Sequence, residues 1–155
     1  MYTYQLEKPS DEIMSLFDDY FKKRAGDMKM YERKGICSMY VTARCEGELA
    51  GAMGIKKHKP KYYRYLHIVV DPDHRRIGIG NSIRYMAIKL LRDIGAETID
   101  FIKEDNEFGH QRFKDLGFRM IGEIINKREP LYHYKQKIKN LKGLEEIWMY
   151  NITQD

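Results

Sequence analysis

The stretch Leu66–Leu91, LHIVVDPDHRRIGIGNSIRYMAIKLL, decides the fold. Its first five residues, Leu66 to Val70, are short and rich in β-branched side chains, as a buried strand should be. Asp71-Pro72-Asp73 ends that strand, because proline removes a backbone donor and aspartate favours turns. From Ile79 onward, Ile83, Met86, Ala87, Leu90 and Ile94 recur at helical spacing. Between strand and helix, Arg75-Arg76-Ile77-Gly78-Ile79-Gly80 lets the backbone pass close to a ligand where the helix begins. Free N–H groups and the positive helix end favour a phosphate or pyrophosphate there. Asn81 and Ser82 add polar side chains in the first turn.

A Gly-x-Gly pair by itself is an ordinary turn signal. No Gly-Lys-Ser/Thr follows it, and the dinucleotide fingerprint would need a third glycine and an acid further on. The order of parts resembles the acetyl-CoA-binding motif of the GNAT acetyltransferase superfamily, Arg/Gln-x-x-Gly-x-Gly/Ala. Arg75, Gly78 and Gly80 occupy its three defining places. The later segment Asn106-Glu-Phe-Gly-His-Gln-Arg-Phe-Lys-Asp-Leu-Gly117-Phe118 is similar to the superfamily's Asn-x-x-Ala-x-x-Leu-Tyr-x-x-x-Gly-Phe. Asn106, Leu116, Gly117 and Phe118 are in register with it, and the resemblance spans Tyr62 to Glu123. It implies an α/β (α+β) fold, a mixed, mostly antiparallel twisted sheet of six to seven strands flanked by about four helices.

Length and composition agree. A chain of 155 residues suits a single domain, residues 1–155, with a real core. The start, MYTYQLEKPSDEIM, lacks the basic–apolar–small order of a signal peptide, and no apolar run approaches the roughly 20 residues of a membrane span. Cys37 and Cys45 are the only cysteines and form no Cys-x-x-Cys, which points to reduced thiols in a cytoplasmic protein. The net charge of +5 mildly favours acidic partners, CoA phosphates among them.

Along the chain, Tyr2–Leu6 alternates as a strand, and Ser10 is a candidate N-cap for a helix carrying Ile13, Leu16, Phe17, Tyr20 and Phe21 to about Arg24. Gly26–Gly35 is ambiguous and fits a second short helix. Met39–Cys45 and Glu48–Lys56 read as strands joined by the hairpin signal Glu46-Gly47, followed by the central strand Tyr62–Val70. The motif helix runs from Gly78 to Ile94, with Gly95 as its C-cap. Thr98–Ile102 is a strand, Glu107–Leu116 a helix capped by Gly117, and Phe118–Ile125 and Leu144–Ile152 the last strands. Lys127–Lys142 fits both a helix face (Leu131, Tyr134, Ile138, Leu141) and a strand (Tyr132, Tyr134, Ile138). The resemblance makes it a substrate-contacting lip; a solvated basic loop suits it equally.

The chemistry implied is acyl transfer from a thioester to an amine. The amine must lose a proton to a base or water, and the carbonyl oxygen needs an N–H donor as the tetrahedral oxyanion forms. By the resemblance, Ile68, Val69 and Val70 contact the pantetheine arm and supply that donor. The amides from Ile77 to Asn81, flanked by Arg75, Arg76 and Ser82, hold the pyrophosphate, and Asn106 and Phe113 complete the cofactor contacts. Phe113 departs from the pattern, since it stands where the superfamily's catalytic tyrosine usually does. A phenyl ring cannot protonate a thiolate, although a thiol pKa of about 8.5 tolerates unaided departure.

Two familiar base positions also lack a carboxylate, being Arg64 and Phe101. His67 is the leading base by residue type, since histidine titrates near pH 6.5. Its parity sets it opposite Leu66 and Ile68 unless a bulge resets the alternation. Glu104, at a strand end, ranks next, with Asp105 beside it. A packed histidine and solvated acids are the competing readings. Tyr63, Tyr65, Tyr132 and Tyr134 are further candidate acids, none favoured over the rest.

The five histidines show no metal-ligand spacing, so no metal is expected. Cys45 has no evident partner base, and Ser82 suits a helix start better than a nucleophile. The run Lys56–Tyr65 interleaves basic and aromatic residues, as a nucleic-acid contact would, yet a hairpin tip around Pro60 explains it better. Three functions follow. The first is acetyl-CoA-dependent acylation of a primary amine on a small molecule or protein. The second is a relative acting on nucleic acid or aminoacyl-tRNA. The third is a catalytically weakened CoA-binding module. No membrane partner is expected, and the resemblance suggests a homodimer without revealing an interface.

Overall fold

The computed structural model describes residues 1–25, 37–104, 107–125 and 130–154. The ambiguous segment Gly26–Gly35 and the candidates Asp105 and Asn106 lie outside them. Seven strands form one sheet: β1 (Tyr2–Glu7), β2 (Met39–Cys45), β3 (Glu48–Lys59), β4 (Tyr62–Val70), β5 (Thr98–Glu104), β6 (Arg119–Ile125) and β7 (Pro130–Lys137). Their spatial order is β1-β2-β3-β4-β5-β7-β6, antiparallel throughout except for β4 beside β5. Parallel neighbours need a crossover, and the motif helix α2 (Ile79–Asp93) supplies it.

Local chemistry sets most of the boundaries. Ser10 caps α1 (Asp11–Ala25) with its side-chain oxygen 3.2 Å from the Ile13 amide. Glu46 and Gly47 both take positive φ, 51° and 85°, which is the twist a two-residue hairpin demands. Gly95, at φ +96°, ends α2 by donating to Arg92 O at 3.0 Å, and Ala96 N reaches Leu91 O at 2.9 Å. The helix α3 (Glu107–Leu116) ends at Gly117 as expected.

Two cores cover the two faces. Ile13 and Phe17 of α1 pack on Tyr40, Ala52 and Val69. The opposite face carries the larger core, where Ile83, Ile88 and Leu91 of α2 and Phe113 and Leu116 of α3 meet Val41, Met53, Tyr65, Ile99, Phe101 and Tyr134.

Of the ambiguous stretch Lys127–Lys142, residues 127–129 lie outside the described residues, Pro130–Lys137 forms β7, which inserts between β5 and β6, and Ile138–Asn140 forms a 3-10 turn. The expectation of a strand over Leu144–Ile152 is overturned: Leu144–Gln154 is the helix α4. Leu144 and Trp148 are buried four residues apart, one helical turn, and Ile147 packs beside them. The Trp148 indole N–H donates to Tyr85 O on α2 at 3.0 Å. With β7 already paired on both sides, α4 closes the helical layer and adds no strand.

Candidate active site

The strand β4 does not stay beside β5. Their parallel pairing runs from Tyr62↔Thr98 to Tyr65↔Phe101 and stops there. Leu66–Val70 continue on the β3 side alone, leaving a cleft between β4 and β5 that is closed at Tyr65. At about 3.3 Å per residue, the stretch from Leu66 to Val70 is roughly 13 Å long.

A bulge sits at the point of divergence. Met53 pairs with Ile68 and Ile55 with Tyr65, so Gly54 alone opposes Leu66 and His67. The extra residue resets the alternation: Tyr63 and Tyr65 belong to the core beneath α2, and Ile68 and Val70 pack against that same core. Leu66 and Val69 face α1. His67 is exposed at this bulge.

The glycine loop lies at the open end of the cleft. Asp71 N donates to Ala50 O at 2.8 Å, and Pro72–His74 form a 3-10 turn capped by the Asp71 side chain. Arg75 Nε donates back to Val70 O at 3.0 Å, with its guanidinium 5.7 Å from the Tyr20 ring centre. Arg76 takes a left-handed φ of 68°, and Gly78 one of 83°. Space beside Gly78 is open, and a side chain at Gly80 would meet Ile68 and Val70 at 3.8 Å. The first α2 bond runs from Ser82 N to Gly78 O at 3.0 Å, so the amides of Ile79, Gly80 and Asn81 have no carbonyl within the helix. Ile77 is 60 % exposed.

The cleft thus brings together Ile68, Val69, Val70, Arg75, Arg76, Ile77, Gly78, Ile79, Gly80, Asn81 and Ser82 as one strand end, one loop and one helix start. Glu104 ends β5, with its backbone paired to Leu131. Phe113 is buried in an aromatic layer, 4.5 Å from Phe101 and 5.8 Å from Phe118 between ring centres, with Lys103 Nζ 5.8 Å from its ring. Tyr65 donates to Arg84 O at 2.9 Å, and burial pushes its hydroxyl well above the usual tyrosine range. Tyr63, Tyr65 and Tyr134 are core residues.

Sequence reasoning missed two features. Arg84, four residues after Gly80, is half-buried with Nη1 donating to Asn81 Oδ1 at 3.2 Å. Burial lowers its pKa, because desolvation disfavours the charged guanidinium. The second is Asp100 on β5, fully buried. Arg64 donates to it through Nε and Nη2 at 3.0 and 2.9 Å, Tyr62 Oη at 2.6 Å, and His133 Nε2 lies 2.7 Å away. Burial alone would raise the Asp100 carboxyl, but Arg64, Tyr62 and His133 outweigh it and hold it below its ordinary value. Burial and this carboxylate together push Tyr62 up to about 12. A charge pattern spread over three strands, β4, β5 and β7, leaves no spacing signal in sequence.

A family model described as the acetyltransferase (GNAT) family matches residues 3–118, three-quarters of the chain. The chain belongs to the GNAT acetyltransferase family. Solved structures agree on the fold. The ribosomal-protein-S18-alanine N-acetyltransferase from Escherichia coli superposes with a TM-score of 0.70 at 19% identity, covering 89% of this chain and 94% of that one. A Bacillus subtilis acetyltransferase in complex with CoA gives 0.64 at 18% identity, covering 88% and 99%. The aminoglycoside 6'-N-acetyltransferase from Enterococcus faecium gives 0.63 at 16%, covering 86% and 96%. No curated protein matches the sequence. As a GNAT protein, the chain has among its described residues the seven-stranded, mostly antiparallel sheet and four α-helices expected of it. No described helix is long and apolar enough to cross a membrane.

Proposed function

We propose that this GNAT protein is an acetyl-CoA-dependent N-acetyltransferase that acylates a primary amine on a small molecule or protein. The observation that carries the reading is the parting of β4 from β5 beside the Gly78–Gly80 loop. An extended thioester arm fits a cleft bounded by strand edges, because its amides can pair with the backbone groups that β5 no longer satisfies. The unpaired amides of Ile79, Gly80 and Asn81 suit the pyrophosphate, and Arg84 adds a half-buried positive charge near them. Ile68–Val70 then line the arm, with an N–H from this stretch donating to the oxyanion. His67 at the bulge and Glu104 at the end of β5 are candidates for proton transfer. Two proteins of similar fold, the S18-alanine N-acetyltransferase and the aminoglycoside 6'-N-acetyltransferase, support an amine as acceptor.

The test is calorimetric titration of acetyl-CoA and desulfo-CoA against the wild type, Gly80→Glu, and Gly78→Glu/Gly80→Glu. Saturable binding lost in both variants supports the loop; a folded wild type that binds neither ligand ends the reading. Acetyl-CoA consumption with an alanine-initiated peptide, kanamycin and n-butylamine then tests the acceptor class.

The burial of Phe113 favours one second reading, a CoA-binding module with weakened catalysis. Tight CoA binding without turnover on any amine would favour it. The nucleic-acid reading loses part of its basis, because Tyr63 and Tyr65 of the basic run are buried, and the residues exposed at the hairpin tip are Lys56 to Lys61, with His58 and Pro60 among the lysines.

A further inference from the structure

We propose that His133, held by the buried carboxylate of Asp100, accepts the proton of the acceptor ammonium. This rests on the acyltransferase reading above and names the group that reading leaves open.

Position comes first. Asp100 pairs with Arg64, one step inside the last β4–β5 pair, while His133 pairs with Ile102, the first β5 residue beyond it. Both therefore stand at the closed end of the cleft, where an arm entering from the glycine loop would finish. They lie on the sheet face opposite the aromatic layer, since Ile99 and Phe101 alternate with Asp100 and Ile102 along β5.

Orientation comes next. Asp100 is held ionised by Arg64 and Tyr62, so it can only accept, and the His133 Nε2 at 2.7 Å must donate. The neutral ring then carries its lone pair on Nδ1. The side chain is 24% exposed, enough for an acceptor to reach it. Among the described residues, other charged or titratable neighbours include Tyr62, Arg64, Lys135, whose Nζ lies 4.7 Å from the Tyr62 ring centre, Arg119, which pairs with Lys135, and His58, 4.9 Å from the Tyr62 ring centre.

The step balances without a further acid. Nδ1 takes one proton from the ammonium and passes it to solvent. The neutral amine attacks the thioester carbon, and the C=O pair moves to oxygen. Collapse of the tetrahedral species breaks the C–S bond, and a second amine proton goes to the departing sulfur. Amide and free thiol result, which suits a site with Phe113 in place of tyrosine.

The test compares n-butylamine, mostly ammonium at pH 7, with methoxyamine, already neutral there, as acceptors from acetyl-CoA. His133→Gln should lower kcat/KM for n-butylamine about a hundredfold, with methoxyamine nearly unchanged. Asp100→Asn should give the same split. Ring-nitrogen NMR of His133 should show Nε2–H in the wild type and a tautomer mixture in Asp100→Asn. Equal losses for both amines, or none, would overturn the assignment while leaving acyl transfer intact. CoA binding with no turnover of either amine by the wild type would remove both.

Discussion

Tyr65 and Phe101 are the last residues through which β4 and β5 pair, and their rings stack 5.9 Å apart at 18° beneath the point where the strands part. The stack continues to Tyr134, 5.5 Å from Phe101. Rigid aromatics thus close one end of the cleft, while the backbone beyond them lacks half its ladder. Stability and binding capacity are separated by a single residue step along β4.

That separation is visible to hydrogen exchange. Amides in Leu66–Val70 that do not pair with β3 should exchange faster than those of Tyr62–Tyr65, and saturating acetyl-CoA should slow them. Peptide-level mass spectrometry reads both effects. Uniform protection along β4 without ligand would contradict the open cleft.

The two loop glycines should behave oppositely toward alanine. Gly78→Ala places a Cβ on a left-handed residue and should cost about 1–2 kcal/mol. Gly80 is helical with only ordinary contacts around it, so Gly80→Ala should be neutral or stabilising by up to about 1 kcal/mol. Urea unfolding of both variants checks this; equal losses would contradict it.

Opposite the β4 bulge, a Cβ on Gly54 would overlap the Cys37 thiol. Gly54→Ala should destabilise by about 1–3 kcal/mol, and Cys37→Ala in the same chain should recover part of that. Burial raises the Cys37 thiol pKa, so Cys45 should react first with a disulfide reagent. Strict additivity in the double-mutant cycle would show that the two sites do not meet.

Arg44 bridges Glu7, at 2.9 Å, and Glu12, at 2.6 Å, tying β2 to β1 and α1. Its hydrogen bond to Glu7 lowers that carboxyl to about 2 from 4.5, against burial, with Thr42 and Gln5 assisting. A depressed acid stabilises above its unfolded pKa, and the benefit fades as pH falls from about 4.5 toward 2. Glu7→Gln should cost about 2 kcal/mol at pH 6 and much less at pH 2.5. A mutational cost that does not change between those pH values would exclude the pair as its source.

Trp148 is the single tryptophan, 2% exposed, with Arg92 stacked 4.6 Å from its ring. Trp148→Ala should cost about 3–5 kcal/mol. Wild-type fluorescence should report α4 leaving α2, by a red shift coincident with global unfolding. A shift well before the far-UV transition would mean that α4 docks independently.

Much of this protein was legible in its sequence, because the signals were local. The strand, turn, Gly-x-Gly and helix of Leu66–Leu91, the Ser10 cap, the Glu46-Gly47 hairpin and the Gly95 and Gly117 stops each rest on backbone preferences within a few residues. Tertiary structure decided the rest. Leu144–Ile152 alternates well enough for a strand, but β7 already fills the sheet position and α2 offers the groove that Leu144 and Trp148 bury into. The bulge opposite Gly54 reverses the parity of β4, and no local pattern announces an inserted residue until its partner strand is known. Asp100, Arg64, Tyr62 and His133 lie as far as 71 positions apart, from 62 to 133, so only strand pairing brings their charges together. Local sequence sets backbone conformation cheaply; the meeting of distant polar groups waits on the sheet order, which burial of the whole chain selects.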